Sequence, residues 1–451
     1  MRVMKTIVIV LALVFCVHGV AQISGQYKQT ATNIIATATA DSTAWNKLAT
    51  MCDTYGHRLS GSDALEKAID WIIAEAKKEG YNARGEKVMV PHWVRGEESI
   101  TITTPRVRQM PMLGLGGSVG TPKDGITANV MVVNSFDELK KRAAEAKGKI
   151  VLFNVPFTKY GETVAYRVNG GVEAARAGAV ASLVRSVGPF SIQSPHTGML
   201  RYNDSLIKIP HAAITVEDAE MIQRMIKRGQ PVSLTIKMSA QMLPDAESRN
   251  VVFEIPGSEK PNEIVVMGGH IDSWDVGQGA MDDGGGCFAA WQALNTIKKL
   301  GLKPKRTIRV VMWTNEENGV RGGNAYADAH PTEKHVLGIE SDEGTFKPTG
   351  FGYEGNPDMK KLVTEIATLL EPLGANDIHD GFGGADISPL KEKYKTPLLG
   401  LDVVADKYFW FHHTHGDTMD KLNPHEVNQC AAAMAIMAYI IADVPTLPEV
   451  K

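Results

Sequence analysis

His270 and Asp272 stand two residues apart at the end of an apolar run, Ile264 to Met267, that closes in Gly268-Gly269. On an extended segment two such residues point the same way. Asp282-Asp283 follow, directly ahead of Gly284, Gly285 and Gly286. Three more clusters share this character: Glu316-Glu317 after the apolar stretch Thr307 to Trp313, Asp342 and its acidic neighbours after Val336 to Ile339, and His412, His413 and His415 ahead of Asp417. Taken singly, each is an ordinary polar loop, cap or turn. Together they bring enough carboxylate to one place that burial is costly without a cation.

The donor types narrow the ion. Imidazole and carboxylate without thiolate suit zinc, admit cobalt or manganese, and argue against calcium. Two imidazoles and three carboxylates, one of them bridging, are enough for two zinc ions, a centre that can activate water and polarise a carbonyl. The adjacent acids Glu316 and Glu317 diverge, so one can bind metal while the other acts as general base. The second imidazole is one of His412, His413 and His415.

The positioning elements must then be the ends of buried strands. Apolar strands alternating with helical stretches predict an α/β protein: a mixed, mainly parallel sheet flanked by helices, with ligands delivered at the carboxyl edge. Helical spacing runs from about Thr30 to Glu79, with Ser62 a cap for the stretch that follows His57 to Gly61. Residues 86–105 alternate as strands. Near Met110 a glycine-rich stretch opens a segment with its own strands (129–133, 149–153, 179–183) and helices (136–146, 171–177), and few candidate ligands. This predicts a β-rich insert over 110–242 between an N-terminal part, 22–109, and the remainder, 243–451. A helix over Asn428 to Ala442 closes the chain.

The chain of 451 residues is 43% hydrophobic with a net charge of −3, which carries no electrostatic footprint for nucleic acid or anionic membrane. Arg2 and Lys5, the apolar run Ile7 to Val17 and the small residues Gly19-Val20-Ala21 read as a cleaved signal over 1–21. The expected location is therefore secreted or periplasmic, with no membrane span. Cys52, Cys287 and Cys430 are an odd set beyond that signal, from which no disulfide framework follows. A Cys52–Cys430 bridge is conceivable; Cys287 reads as a packing residue.

GHIDSWDVGQGAMDDGGG, WTNEENG, ESDEGTF and FHHTHGDTM resemble the M28 metallopeptidases, the co-catalytic zinc group, and the likeness runs from about Ala31 to the last helix. The resemblance implies a zinc-dependent exopeptidase fold with a protease-associated insert. It implies two zinc ions per chain: His270 and Asp342 on one, Glu317 on the other, and Asp282 bridging through a cis Asp282–Asp283 bond. The remaining ligand stands four residues before the Asp of an H-[ST]-x-x-D pattern, which selects His413. Glu316 would be the general base and Asp272 would orient the imidazole of His270. Tyr408, His412 and His415 would face substrate. The implied activity is hydrolysis of dipeptides or short peptides with free termini by a homodimer. A broad-specificity aminopeptidase shares every metal residue, a glutaminyl cyclase would use one zinc, and a non-enzymatic relative would have lost ligands that are all present here.

Overall fold

The computed structural model describes residues 23–448; the expected signal segment lies outside them. Two eight-stranded sheets organise the chain. In the first, the strands Arg306–Trp313, Lys260–His270, Lys334–Glu340 and Leu398–Val403 lie side by side and parallel. Antiparallel partners on both sides make the sheet mixed.

These central strands read as unbroken apolar runs because both of their faces are covered. Val265 and Met267 face one core, with Ile308, Val310 and Met312. Ile264 and Val266 face the other, with Val311 and Trp313. The first core is closed by helices Gly285–Lys299 and Pro424–Asp443, the latter buried over nearly its whole length. The second is closed by the helices Arg321–Ala329 and Ser388–Tyr394. Ser62 caps helix Asp63–Lys78 as its position predicts, accepting the Leu65 N–H at 3.3 Å.

Strand Arg84–Val94 carries the chain out to the second sheet, and strand Gln241–Ile255 brings it back, paired antiparallel from Arg84↔Val252 to Val94↔Gln241. The second sheet takes in strand Glu98–Thr104, which pairs with Ser233–Met238. It therefore begins some way before the expected boundary at 110, because 84–94 and 98–104 carry the same alternating pattern and only pairing assigns them to different sheets. It is also less purely β than expected. Helix Tyr160–Arg176 begins well ahead of 171, and the expected helix 136–146 breaks at Arg142 into Phe136–Lys141 and Ala143–Ala146. Apolar clusters on both faces of this sheet are closed by such helices.

The three cysteines are buried and free. Among the described residues no helix is long and apolar enough to cross a membrane.

Candidate metal centre

The parallel strands end at one edge, and the chemistry gathers there. His270 is the last residue of its strand. Its Nε2 lies 3.1 Å from Asp342 Oδ1 and 3.2 Å from Asp282 Oδ1. Across the same carboxylate, Asp282 Oδ2 lies 3.3 Å from His413 Nε2, which is itself 3.0 Å from Glu317 Oε2. Five of the predicted residues thus converge as two groups sharing Asp282. Glu316 lines the same cleft.

His412 is close as well, 3.5 Å from Asp282 Oδ2, with its ring stacked on His413 at a centroid distance of 3.5 Å. Its Nε2 approaches Asp282 alone, whereas that of His413 meets both Asp282 and Glu317. Tyr408 also lines the cleft; His415 does not. His415 is exposed beside Arg95, Asp275 and His57, so the expectation that it faces substrate is not met. Nor do the histidines leave directly from a strand end. They follow the short helix Tyr408–Phe411, and His413 adopts a left-handed φ of 60°.

A ring of buried acids holds these side chains through main-chain hydrogen bonds. Asp272 was expected to orient His270, but the nearer atom to Nδ1 is its main-chain oxygen at 2.9 Å, with the carboxylate at 3.7 Å. That carboxylate instead accepts the N–H groups of Glu316 at 3.0 Å and Glu317 at 3.3 Å. Asp283 accepts from His270 N at 3.0 Å and from Gly286 N at 3.1 Å. The peptide joining it to Asp282 is cis. The surrounding glycines are required by this approach: a Cβ on Gly269 would lie 2.0 Å from Asp283 Oδ2, and one on Gly286 2.0 Å from Ser341 O. Asp417 accepts the N–H groups of Ala280, Met281 and Asp282 at 3.0, 2.7 and 3.3 Å. Glu340 accepts from Ala385 and Ile387 at 2.8 and 3.0 Å. Asp417 marks the pattern that selects His413, but its hold on the main chain of 280–282 has no sequence signal, and Glu340 has none beyond standing two residues before Asp342.

The electrostatics fit a divalent pair. Burial, reinforced by Asp342, pushes the Glu340 carboxyl up to about 8. Burial likewise takes Glu317 to about 7, with Asp282 adding to it. Burial opposes charge on His270, yet Asp342 and Asp282 hold its imidazolium well above the usual range. Glu317 and Asp282 do the same for His413 against its burial. Asp282 Oδ2 is buried with no hydrogen-bond donor. A set of acids this crowded is what a cation neutralises, and the mixture of imidazole and carboxylate donors suits zinc.

The cleft above the centre has a volume of about 460 Å³. One wall comes from the second sheet: Tyr160 stacks on Phe409 at 4.8 Å, and Arg167 lies 3.4 Å from His413 Nδ1. The opposite wall carries Glu343, His379, Phe382 and Asp402. Neither Tyr160 nor Arg167 has the residue type or spacing of a ligand, so nothing in the sequence singles them out.

Residues 250–438 match the profile of peptidase family M28. Carboxypeptidase Q of Mus musculus is 49% identical over 403 residues, covering 89% of this chain and 86% of that protein. Carboxypeptidase Q of Homo sapiens is 47% identical over 91% of this chain and 88% of its own length. Among solved structures, a Peptidase M28 precursor from Shewanella amazonensis superposes with a TM-score of 0.90 at 33% identity, covering 95% of this chain and 99% of that one. A zinc aminopeptidase from Bacillus subtilis shares the fold, with a TM-score of 0.68 at 19% identity over 90% of this chain and 98% of its own.

Proposed function

The chain belongs to peptidase family M28 and is a metallopeptidase, and from that premise we propose that it is a dizinc exopeptidase acting on dipeptides or short peptides with free termini. The observation that carries the proposal is the position of Asp282, one oxygen beside His270 and the other beside His413. His270 and Asp342 would hold one ion and His413 and Glu317 the other, with Asp282 shared between the two groups. His413 is preferred to His412 because it alone meets a second carboxylate of its ion.

When bound, the two ions supply Lewis acidity to the peptide carbonyl and make water a better acid. Glu316, held by its N–H on Asp272, takes the proton from the attacking water and returns it to the leaving amine. Asp417 keeps the bridging carboxylate in place through the main chain of 280–282. Tyr160 and Phe409 close the cleft on the side of the second sheet and keep bulk water from the reacting bond. That sheet acts as a protease-associated insert. Secretion after cleavage at Ala21 and assembly as a homodimer complete the reading, checked by intact mass and by light scattering.

The test is hydrolysis of a panel of dipeptides, longer peptides and end-blocked peptides, before and after chelation and zinc return. Dipeptides with both ends free should be cleaved fastest, with activity lost on chelation and restored by about two zinc per chain. Preference for long peptides with only the amino end free would point to the aminopeptidase alternative. Inert protein at full zinc loading would refute the proposal.

A further inference from the structure

We propose that Arg58 is the positioning residue that sets the spacing between the two halves of the metal centre, an assignment that rests on the two-ion reading above. Arg58 stands in the turn between helices Thr43–Tyr55 and Asp63–Lys78 and is fully buried. Its guanidinium donates to three main-chain carbonyls of a distant segment: Nε to Ile271 at 2.7 Å, Nη1 to Gln278 at 2.7 Å and Nη2 to Gly279 at 2.8 Å. A fourth bond, from Nη1 to the Gly56 carbonyl at 3.0 Å, fixes the fork to its own turn. The main chain adds two more: the Arg58 N–H donates to Ser273 Oγ at 2.9 Å, and the Ser273 N–H to the Arg58 carbonyl at 3.1 Å.

The segment held in this way is the connection from His270 to Asp282. Residues 271–279 form neither helix nor strand, so no ladder satisfies their carbonyls. Ile271 follows His270 directly, and Gly279 stands three residues before Asp282. One rigid, planar group therefore grips the connection at both ends. The close approach demands glycine at 279, where φ is 56° and a Cβ would lie 2.3 Å from Ser273 Cβ and 3.0 Å from Arg58 Nη2.

Arg306 and Arg309, buried elsewhere in the chain, pair with carboxylates. Among the described residues Arg58 has no such ion pair, and its donors are used on the connection instead. Lysine cannot replace it, because donors on one nitrogen cannot serve carbonyls that the fork meets from three. Its charge also favours the ionised form of Asp417, the group that accepts the N–H groups of 280–282. The spacing matters because Asp282 has one oxygen beside His270 and the other beside His413. A connection free to shift would carry Asp282 out of that shared position and weaken both ions together.

The full chain, as wild type, Arg58→Lys, Arg58→Met and Ser273→Ala, would be stripped of metal and titrated with zinc against a competing chelator. The temperature is one at which circular dichroism shows each protein folded. Arg58→Lys should weaken the binding of both ions roughly 10- to 100-fold, and Arg58→Met by more. Ser273→Ala removes only the acceptor of the Arg58 N–H and should weaken both by a smaller factor; with Arg58→Lys it carries the test if Arg58→Met does not fold. Zinc should also raise the melting midpoint of each variant by less than that of the wild type. A lower midpoint for the metal-free variants at unchanged zinc affinity would overturn the proposal and leave Arg58 as a support of the fold. So would loss of one ion only, the pattern of a single missing ligand. If the wild type holds one zinc and Arg58→Lys weakens it, the two-ion reading fails and Arg58 stands. If the wild type holds two and Arg58→Lys binds both as tightly, Arg58 alone fails, and a wild type that takes up no zinc sinks both.

Discussion

The carboxylate of Asp272 accepts the main-chain N–H of Glu316 at 3.0 Å. Two strand ends are thereby tied together: the one that carries the His270 imidazole and the one that carries the acid proposed as base. The same carboxylate takes the Glu317 N–H at 3.3 Å and the Ser60 hydroxyl at 3.3 Å. Asp272→Asn keeps the shape but offers a single acceptor oxygen where main-chain donors use two. It should lower kcat by roughly 10- to 100-fold, as expected when a buried charge-assisted hydrogen bond is lost. Zinc content should change little, since His270 Nδ1 is oriented by the main-chain oxygen of Asp272. Loss of zinc in step with activity would show that the carboxylate acts mainly on His270.

Glu316 and Glu317 are neighbours with different surroundings. Glu317 Oε1 accepts the Trp274 N–H at 3.2 Å and Oε2 faces His413, which fixes that carboxylate at the metal centre. Glu316 Oε atoms make no such contact among the described residues. Glu316→Gln should therefore bind about two zinc per chain and lose at least about 10²-fold in kcat, the scale of a general base. Turnover near that of the wild type at full zinc loading would remove Glu316 from the base role.

The pair His412 and His413 separates by metal content. His413→Ala should lose about one zinc equivalent by elemental analysis after dialysis, because it removes the imidazole that meets both Asp282 and Glu317. His412→Ala should retain both ions and act on KM or kcat through the cleft wall it shares with Tyr160 and Tyr408. The reverse pattern would reassign the ligand.

How much of this was visible in the chain depends on the range of the interaction that decides each residue. The strand ends at His270, Glu316 and Asp342 were legible because a strand covered on both faces is apolar throughout and stops abruptly at its polar edge. The Ser62 cap was legible because the bond it makes spans three residues. The course of helix Tyr160–Arg176 was hidden by Gly161, Gly170 and Gly171, which weaken its periodicity. Gly170 and Gly171 face His211 across a tight contact that only the folded sheet creates. Arg167 reaches the centre because that helix packs beside residues well over two hundred positions later, and no local pattern encodes such an approach. The hold of the Asp272 carboxylate on the N–H groups of Glu316 and Glu317 was hidden for a related reason: its partners are main-chain groups, which carry no residue type to read.

Away from the centre, His330 offers a test of electrostatics that does not involve metal. Its Nε2 lies 3.0 Å from Glu86 Oε2 and its Nδ1 3.0 Å from Glu333 Oε2, joining the outgoing strand to the turn after helix Arg321–Ala329. Burial opposes its charge, but Glu333 and Glu86 outweigh that and raise its pKa to about 9. A raised folded pKa means that the imidazolium stabilises the fold fully below its unfolded value, roughly 6.5, and loses that effect as pH climbs through about 9. The site is half-buried, so screening reduces the contribution to about 1–2 kcal/mol. Urea unfolding of the wild type and His330→Gln should therefore show the larger gap at pH 6 and a much smaller one at pH 9.5. A gap of equal size at both would mean that His330 is held neutral, and that its ring against Tyr326, 4.5 Å away, matters more than its charge.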